Sequence, residues 1–220
     1  DVAVANIGST NVGILLNTSN VPPSNLVLNG DSISENGTAS VSGTFVDPNA
    51  GNTHTVTINW GPGEGTTVTT LPVGARSFSI SHAYLDDNPT GTSTDVYPIN
   101  VTVSDGFASV SSNTSVRVNN VAPTNLALNS GVINENGSFT LTGTFTDPGT
   151  QDVHTVTINW GEGAPEVHVL PVGTRTVTFN HQYLDDNPTG TASDLYPISV
   201  TVADDDGGSG NASTSITVNN

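Results

Sequence analysis

The chain is predicted to be all-β: two tandem seven-stranded β-sandwiches preceded by an extended N-terminal β arm. Three observations predict this. Apolar residues alternate with Thr, Ser and Asn at period two along most of the chain. Gly, Pro, Asn and Asp clusters punctuate that alternation at short intervals. A block of roughly one hundred residues also recurs nearly word for word. HTVTINWG stands at His54 and His154, LPVG at Leu71 and Leu170, and YLDDNPTG at Tyr84 and Tyr183.

Residues 1–20 form the arm. Val2 and Val4 alternate, then Ile14 and Leu16, with Gly8-Ser9-Thr10 as a turn between them. Leu16 falls opposite Val116 and Ile216 at the repeat ends, so the arm reads as the last hairpin of a module whose other strands are missing. An isolated hairpin is marginal in water. Its apolar residues Val2, Val4, Ile7, Val12, Ile14 and Leu16 are therefore expected to pack on the chain, to be disordered, or to pair with the sheet edge of another copy. With no methionine in the chain, Asp1 is not expected to be a translation start.

The first module spans 21–120. Val41, Gly43 and Phe45 share one strand face, followed by Val56, Ile58 and Trp60, then Phe78, Ile80, His82 and Tyr84. Tyr97, Ile99, Val101 and Val103 form the next face, and Val116 and Val118 the last. Turns fall at Glu35-Asn36-Gly37, Asp47-Pro48-Asn49, Gly61-Pro62-Gly63, Pro72-Val73-Gly74 and Asp87-Asn88-Pro89. The second module, 121–220, keeps this parity. It differs in its last loop, where Ser104-Asp105-Gly106-Phe107 becomes Ala203-Asp204-Asp205-Asp206-Gly207-Gly208. The two modules meet at Val118-Asn119-Asn120-Val121-Ala122-Pro123.

Composition narrows the function. Twenty acidic residues face three basic ones, Arg76, Arg117 and Arg175, for a net charge of −17. Nucleic acid and anionic membranes call for basic patches, so neither is an expected partner. Without cysteine there is no disulfide and no thiol ligand or nucleophile. No apolar run approaches the ~20 residues of a membrane span. A chain so rich in Thr, Ser, Asn and Gly reads as extracellular or cell-surface. Sequons at Asn17, Asn36, Asn100, Asn113, Asn136 and Asn211 would permit glycosylation there.

Asn59-Trp60-Gly61, the later His82-Ala83-Tyr84, and Tyr97-Pro98-Ile99-Asn100-Val101-Thr102-Val103-Ser104-Asp105-Gly106 resemble the PKD-type Ig-like repeats of microbial surface proteins. The Glu-Asn-Gly turn, Leu85-Asp86-Asp87 and the Asp-bearing loops also resemble cadherin-type repeats. The resemblance covers 21–220 and implies a fold rather than one function.

The carboxylates are the candidate site. Loops of a sandwich alternate between its two ends, which brings Glu35, Asp86 and Asp87 of module one toward Asp147, Asp152, Asp204, Asp205 and Asp206 of module two, around Asn119 and Asn120. Hard oxygens in that number suit Ca²⁺, which takes about 6–8. The cadherin resemblance implies a joint stiffened by that cofactor. Glu135, Asp185 and Asp186 would be a matching half-site at one free end, and Asp47 and Asp105 at the other. Solvated turn residues are the plainer reading of all these acids.

Trp60 and Trp160 read as core, with a sugar-stacking platform as the alternative. His82 and His181 read as structural, and Tyr97 and Tyr196 as tyrosine corners. No nucleophile elbow appears, and Glu64, Glu162 and Glu166 form no matched pair of the kind glycosidases use. The expected function is a non-enzymatic extracellular structural protein, a fibril, filament or stalk subunit joined head to tail to itself. A fragment of a long repeat adhesin, contacting surface glycans or other surface proteins, stays open. So does a carbohydrate-binding module of a secreted hydrolase, which exposed tryptophans would favour.

Overall fold

The structure, a computed structural model, describes residues 2–5, 12–15, 19–88, 90–186 and 189–220, the first two segments by backbone alone. In the arm, β1 (Val2–Ala5) and β2 (Val12–Leu15) pair antiparallel, Val2 opposite Leu15 and Ala5 opposite Val12. The arm's hairpin is thus present. Its Gly8–Thr10 turn, Ile7, Leu16 and the Asn17 sequon lie outside the described residues, as do the side chains of Val2, Val4, Val12 and Ile14.

The first repeat runs β3 (Ser24–Asn29), β4 (Asp31–Ser34), β5 (Gly37–Val46), β6 (His54–Asn59), β7 (Thr66–Leu71), β8 (Ser77–Tyr84), β9 (Thr94–Ser104) and β10 (Ser109–Asn119). The second runs β11 (Thr124–Leu128), β12 (Gly131–Asn134), β13 (Gly137–Thr146), β14 (Thr155–Asn159), β15 (Glu166–Val169), β16 (Thr176–Tyr183), β17 (Ser193–Ala203) and β18 (Ser209–Asn219). Each repeat makes a three-stranded sheet, β3-β5-β8 or β11-β13-β16, and a five-stranded sheet, β4-β10-β9-β6-β7 or β12-β18-β17-β14-β15. This is the strand arrangement of an Ig-like sandwich.

One element departs from the expected seven. The first strand of each repeat is split between the sheets, β3 lying beside β5 while β4 joins β10 in parallel, with Val118 opposite Ile33. β11 and β12 repeat this, Ile133 facing Val218. Leu26 and Leu28 share one parity and Ile33 takes the other, the switch falling at Asn29-Gly30 where β3 gives way to β4. Asn25 and Asn125 bend the chain ahead of the break, at φ 51° and 54°, where the register with β5 and β13 shifts. Asn tolerates that left-handed backbone through its short polar side chain.

The interior follows the period-two pattern. Val56, Ile58 and Trp60, like Val156, Ile158 and Trp160, are fully buried, and Tyr97 to Val103 and Ile198 to Val202 supply the facing β9 and β17 residues. Tyr196 Oη donates to Asp185 O at 3.2 Å, the bond of a tyrosine corner, and Tyr183 Oη donates to Trp160 O at 2.9 Å. Among the described residues no helix is long and apolar enough to cross a membrane.

Contacts divide the chain into two compact units. One holds Asp1–Gly30, Val41–Ile80 and Pro98–Thr114; the other holds Asp31–Ser40, Ser81–Tyr97 and Ser115–Asn220. The second unit thus takes in the β4–β5 turn and β8–β9 loop of the first repeat along with the whole second repeat.

Candidate metal centre

Four loops of the second unit carry the acids. The β4–β5 turn is tight because Asn36 takes φ 52°, and Glu35 N donates to Asn119 O at 2.9 Å, which ties the turn to the end of β10. Asp86 and Asp87 follow β8, and Asp87 N donates to Asp86 Oδ1 at 2.9 Å. Asp147 and Asp152 bracket the β13–β14 loop, and Asp204, Asp205 and Asp206 form the β17–β18 loop.

Folding brings Glu35, Asp86, Asp87, Asp147, Asp152 and Asp206 together, while Asp205 stays exposed. Glu35, Asp86 and Asp87 form one group, Asp86, Asp152 and Asp206 a second, and Asp147, Asp152 and His154 a third, each with ligand atoms within 4.8 Å of one another. Asp86 and Asp152 each belong to two groups, so adjacent ions would share them. Asp87 is 0% exposed and Asp152 1%, yet neither carboxylate has a hydrogen-bond donor on either oxygen; Glu35 Oε2 has none either. A buried charge without partners is costly. Two carboxylates about 5 Å apart at an effective dielectric of about 20 repel by roughly 3 kcal/mol.

Proton affinities record the strain. Burial pushes the Glu35 carboxyl up to about 7, against the Val121 N–H bond and with the Asp147, Asp87 and Asp86 charges. Burial, then the Glu35 and Asp147 charges, push Asp152 up to about 9. Burial and the Asp87 and Asp86 charges push Asp206 to about 7, and burial with Asp86 pushes Asp87 to about 6. Asp86 is also raised, again chiefly by burial. Asp147 goes the other way. Burial opposes it, but the His154 bond and the Gly149 N–H hold it below the ordinary range.

His154 was not among the candidates from sequence. Its Nε2 stands 3.0 Å from Asp147 Oδ2, with both side chains fully buried, and the Arg175 guanidinium lies 3.9 Å from Asp147 Oδ1. Its repetition inside HTVTINWG, seven residues after an Asp in both modules, was the available signal.

Asn119 does not face the acids. Its Nδ2 donates to Ile33 O at 2.7 Å and its Oδ1 accepts from Thr94 Oγ1 at 3.2 Å. Asn120 takes that place instead, its Nδ2 donating to Asp204 Oδ2 at 3.0 Å. Asp204 Oδ1 accepts from the backbone N–H of Asp206 and Gly208, and Asp205 Oδ1 from Val153 N. Gly149 is buried against the cluster: a Cβ there would collide with Asp152 Oδ1, Asp152 Oδ2 and Glu35 Oε2. Apart from one buried imidazole the donor set is hard oxygen, with no thiol, and it fits a hard divalent cation such as Ca²⁺.

The two outer acid sets differ. Glu135, Asp185 and Asp186 gather within 4.8 Å, and Asp186 Oδ2 is buried without a donor. Glu135 N donates to Asn219 O at 2.7 Å, as Glu35 N does to Asn119 O. Asp47 and Asp105 instead have hydrogen-bond partners. Asp47 meets His54 Nε2 at 2.7 Å and accepts from Asn49 N, while Asp105 accepts from Phe107 N, Ala108 N and Asn20 Nδ2.

Trp60 and Trp160 are 0% exposed, which removes the sugar-stacking platform. His181 stacks on Trp160 with ring centroids 4.8 Å apart and meets Glu162 at 3.0 Å, a structural position. Sequons Asn36, Asn100, Asn113, Asn136 and Asn211 are all exposed, although Asn100 Nδ2 donates to Asn113 Oδ1 and Asn136 Oδ1 accepts from Gln182.

No family model matches the chain, and no curated protein matches it. Its structural neighbours are a PKD domain and Ig-domain repeats. The PKD domain of an M14-like peptidase from Thermoplasmatales archaeon SCGC AB-540-F20 is 19% identical over 46% of this chain and 99% of its own, with a TM-score of 0.34. An I-band fragment of titin is 10% identical over 91% of this chain and 66% of its own, TM-score 0.36. The N-terminal four Ig domains of Dscam1 are 12% identical over 85% and 42%, TM-score 0.41.

Proposed function

We propose that this chain is a non-enzymatic extracellular structural or adhesion module whose acidic cluster binds Ca²⁺ and stiffens the connector at Asn119–Pro123. One observation carries the reading: Asp87 and Asp152 are buried with all four carboxylate oxygens lacking donors, among acids drawn from both repeats. Protons relieve that repulsion only in part near neutral pH, whereas a divalent cation relieves it directly. A ligand that binds only the folded state raises its stability, by about 2.7 kcal/mol at about a hundredfold excess over Kd. Melting the chain with calcium and with chelator tests this, and identical midpoints discard the cation.

The finer reading is a fibril or stalk subunit that joins head to tail with its own copies through the arm. The buried, donor-less Asp186 Oδ2 at the Glu135–Asp185–Asp186 end supports it, since another chain can supply what that oxygen lacks. Deletion of residues 1–20 followed by electron microscopy tests the fastening, and filaments that persist overturn it. A piece of a longer adhesin, with glycans or other surface proteins as ligands, makes the same use of the calcium joint.

A further inference from the structure

The chain contains the same connector twice, once with acids around it and once with amides. Before the second module, Asn120 Nδ2 donates to Asp204 Oδ2 at 3.0 Å. Before the first, Asn20 Nδ2 donates to Asp105 Oδ2 at 2.7 Å. The residue that follows is also held alike: Val121 N donates to Glu35 Oε1 and Val21 N to Asn49 Oδ1, both at 2.8 Å.

The other half of each asparagine amide separates the two. Asn20 Oδ1 accepts from Asn52 Nδ2 at 2.8 Å. Asn120 Oδ1 is buried with no donor. The repeat puts Asp152 where the first module has Asn52, and Asp152 has nothing to donate when ionised. Turning the Asn120 amide over does not help, because Oδ1 would then meet Asp204. Gly149 stands where the first module has Asn49, and the room it leaves admits Glu35 Oε2 and Asp152 to one spot. Two substitutions in one loop, Asn to Gly and Asn to Asp, thus turn a satisfied amide network into a set of bare oxygens.

We infer that Asp152, Asn120 Oδ1 and Glu35 Oε2 hold one particular divalent cation of the calcium class, and that the Asn52 amide occupies the corresponding place beside Asn20. The connector ahead of the first module is then cation-independent and the one ahead of the second cation-dependent. This rests on the reading of the acidic cluster as a calcium site and assigns one ion within it. The amide donates a hydrogen bond to the same carbonyl oxygen that the ion would coordinate, and it neutralises the position by removing a carboxylate.

Equilibrium dialysis against calcium chloride and thermal melts of the full chain test the assignment. In the Asp152→Asn variant the new amide donates to Asn120 Oδ1, so its midpoint in chelator rises above wild type. The same variant binds one calcium fewer per chain and gains less from calcium. The converse variant, Asn52→Asp, sets a carboxylate against Asn20 Oδ1; its midpoint in chelator falls and calcium recovers the deficit. An Asp152→Asn chain with unchanged calcium stoichiometry and no higher chelator midpoint overturns the inference alone. Wild-type chain that binds no calcium overturns the parent reading instead.

Discussion

Gly149 lies against the Asp152 carboxylate so closely that no side chain fits between them. Its backbone is not left-handed, so the requirement is for space rather than for a glycine conformation. Gly149→Ala is therefore expected to displace Asp152 or Glu35 and weaken calcium binding by on the order of tenfold, the ~1.4 kcal/mol scale of one misplaced ligand. Isothermal titration with calcium reads the loss. Unchanged affinity would show that these two acids do not bind the ion together.

The raised carboxyls set a pH dependence of definite sign. Glu35 at about 7, Asp87 at about 6, Asp152 at about 9 and Asp206 at about 7 all bind protons more tightly folded than unfolded. Their stabilisation is complete below the ordinary carboxyl range and is lost as pH rises through those values. The metal-free chain should therefore melt highest near pH 4–5 and progressively lower between about pH 6 and 9. Saturating calcium should abolish that decline, because the cation binds the deprotonated form. A metal-free midpoint that rises across this range would contradict the burial of the cluster.

Two of the histidine–carboxylate pairs of the second repeat should differ in worth. His154→Ala leaves the fully buried Asp147 short of its main partner and is expected to cost about 3 kcal/mol in urea unfolding. His168→Ala removes a pair with Glu166 whose side chains are 37% and 41% exposed, and should cost under about 1 kcal/mol. Equal costs would mean that Arg175 carries Asp147 without the imidazole.

Much of the fold was legible because it rests on period-two burial, which a strand writes directly into its residues. Trp60, Ile58 and Val56 were readable as one inward face, and they are buried. The split first strand was not foreseen, although Ile33 takes the opposite parity to Leu26 and Leu28 and the switch at Asn29-Gly30 marks the change of sheet. The gathering of Glu35, Asp86, Asp87, Asp152 and Asp206 followed from the alternation of loops between sandwich ends. The part of His154 did not, since a buried imidazole and a surface one look alike in sequence.

The sequence by itself determined the duplicated β-sandwich, the acidic loops and the exclusion of thiol chemistry. Tertiary structure decided which polar atoms are left over. Asn119 and Asn120 are identical neighbours, yet the first is used up on Ile33 and Thr94 while the second turns its amide to Asp204. Asp47 and Asp105 resemble Asp147 and Asp204 in sequence, but Asn20, Asn49 and Asn52 complete a hydrogen-bonded network around the first pair. Around the second, Asp152 and Asn120 Oδ1 stay without donors. Whether a carboxylate is a turn residue or a ligand depends on donors supplied from tens of residues away, and only the folded chain brings those donors within reach.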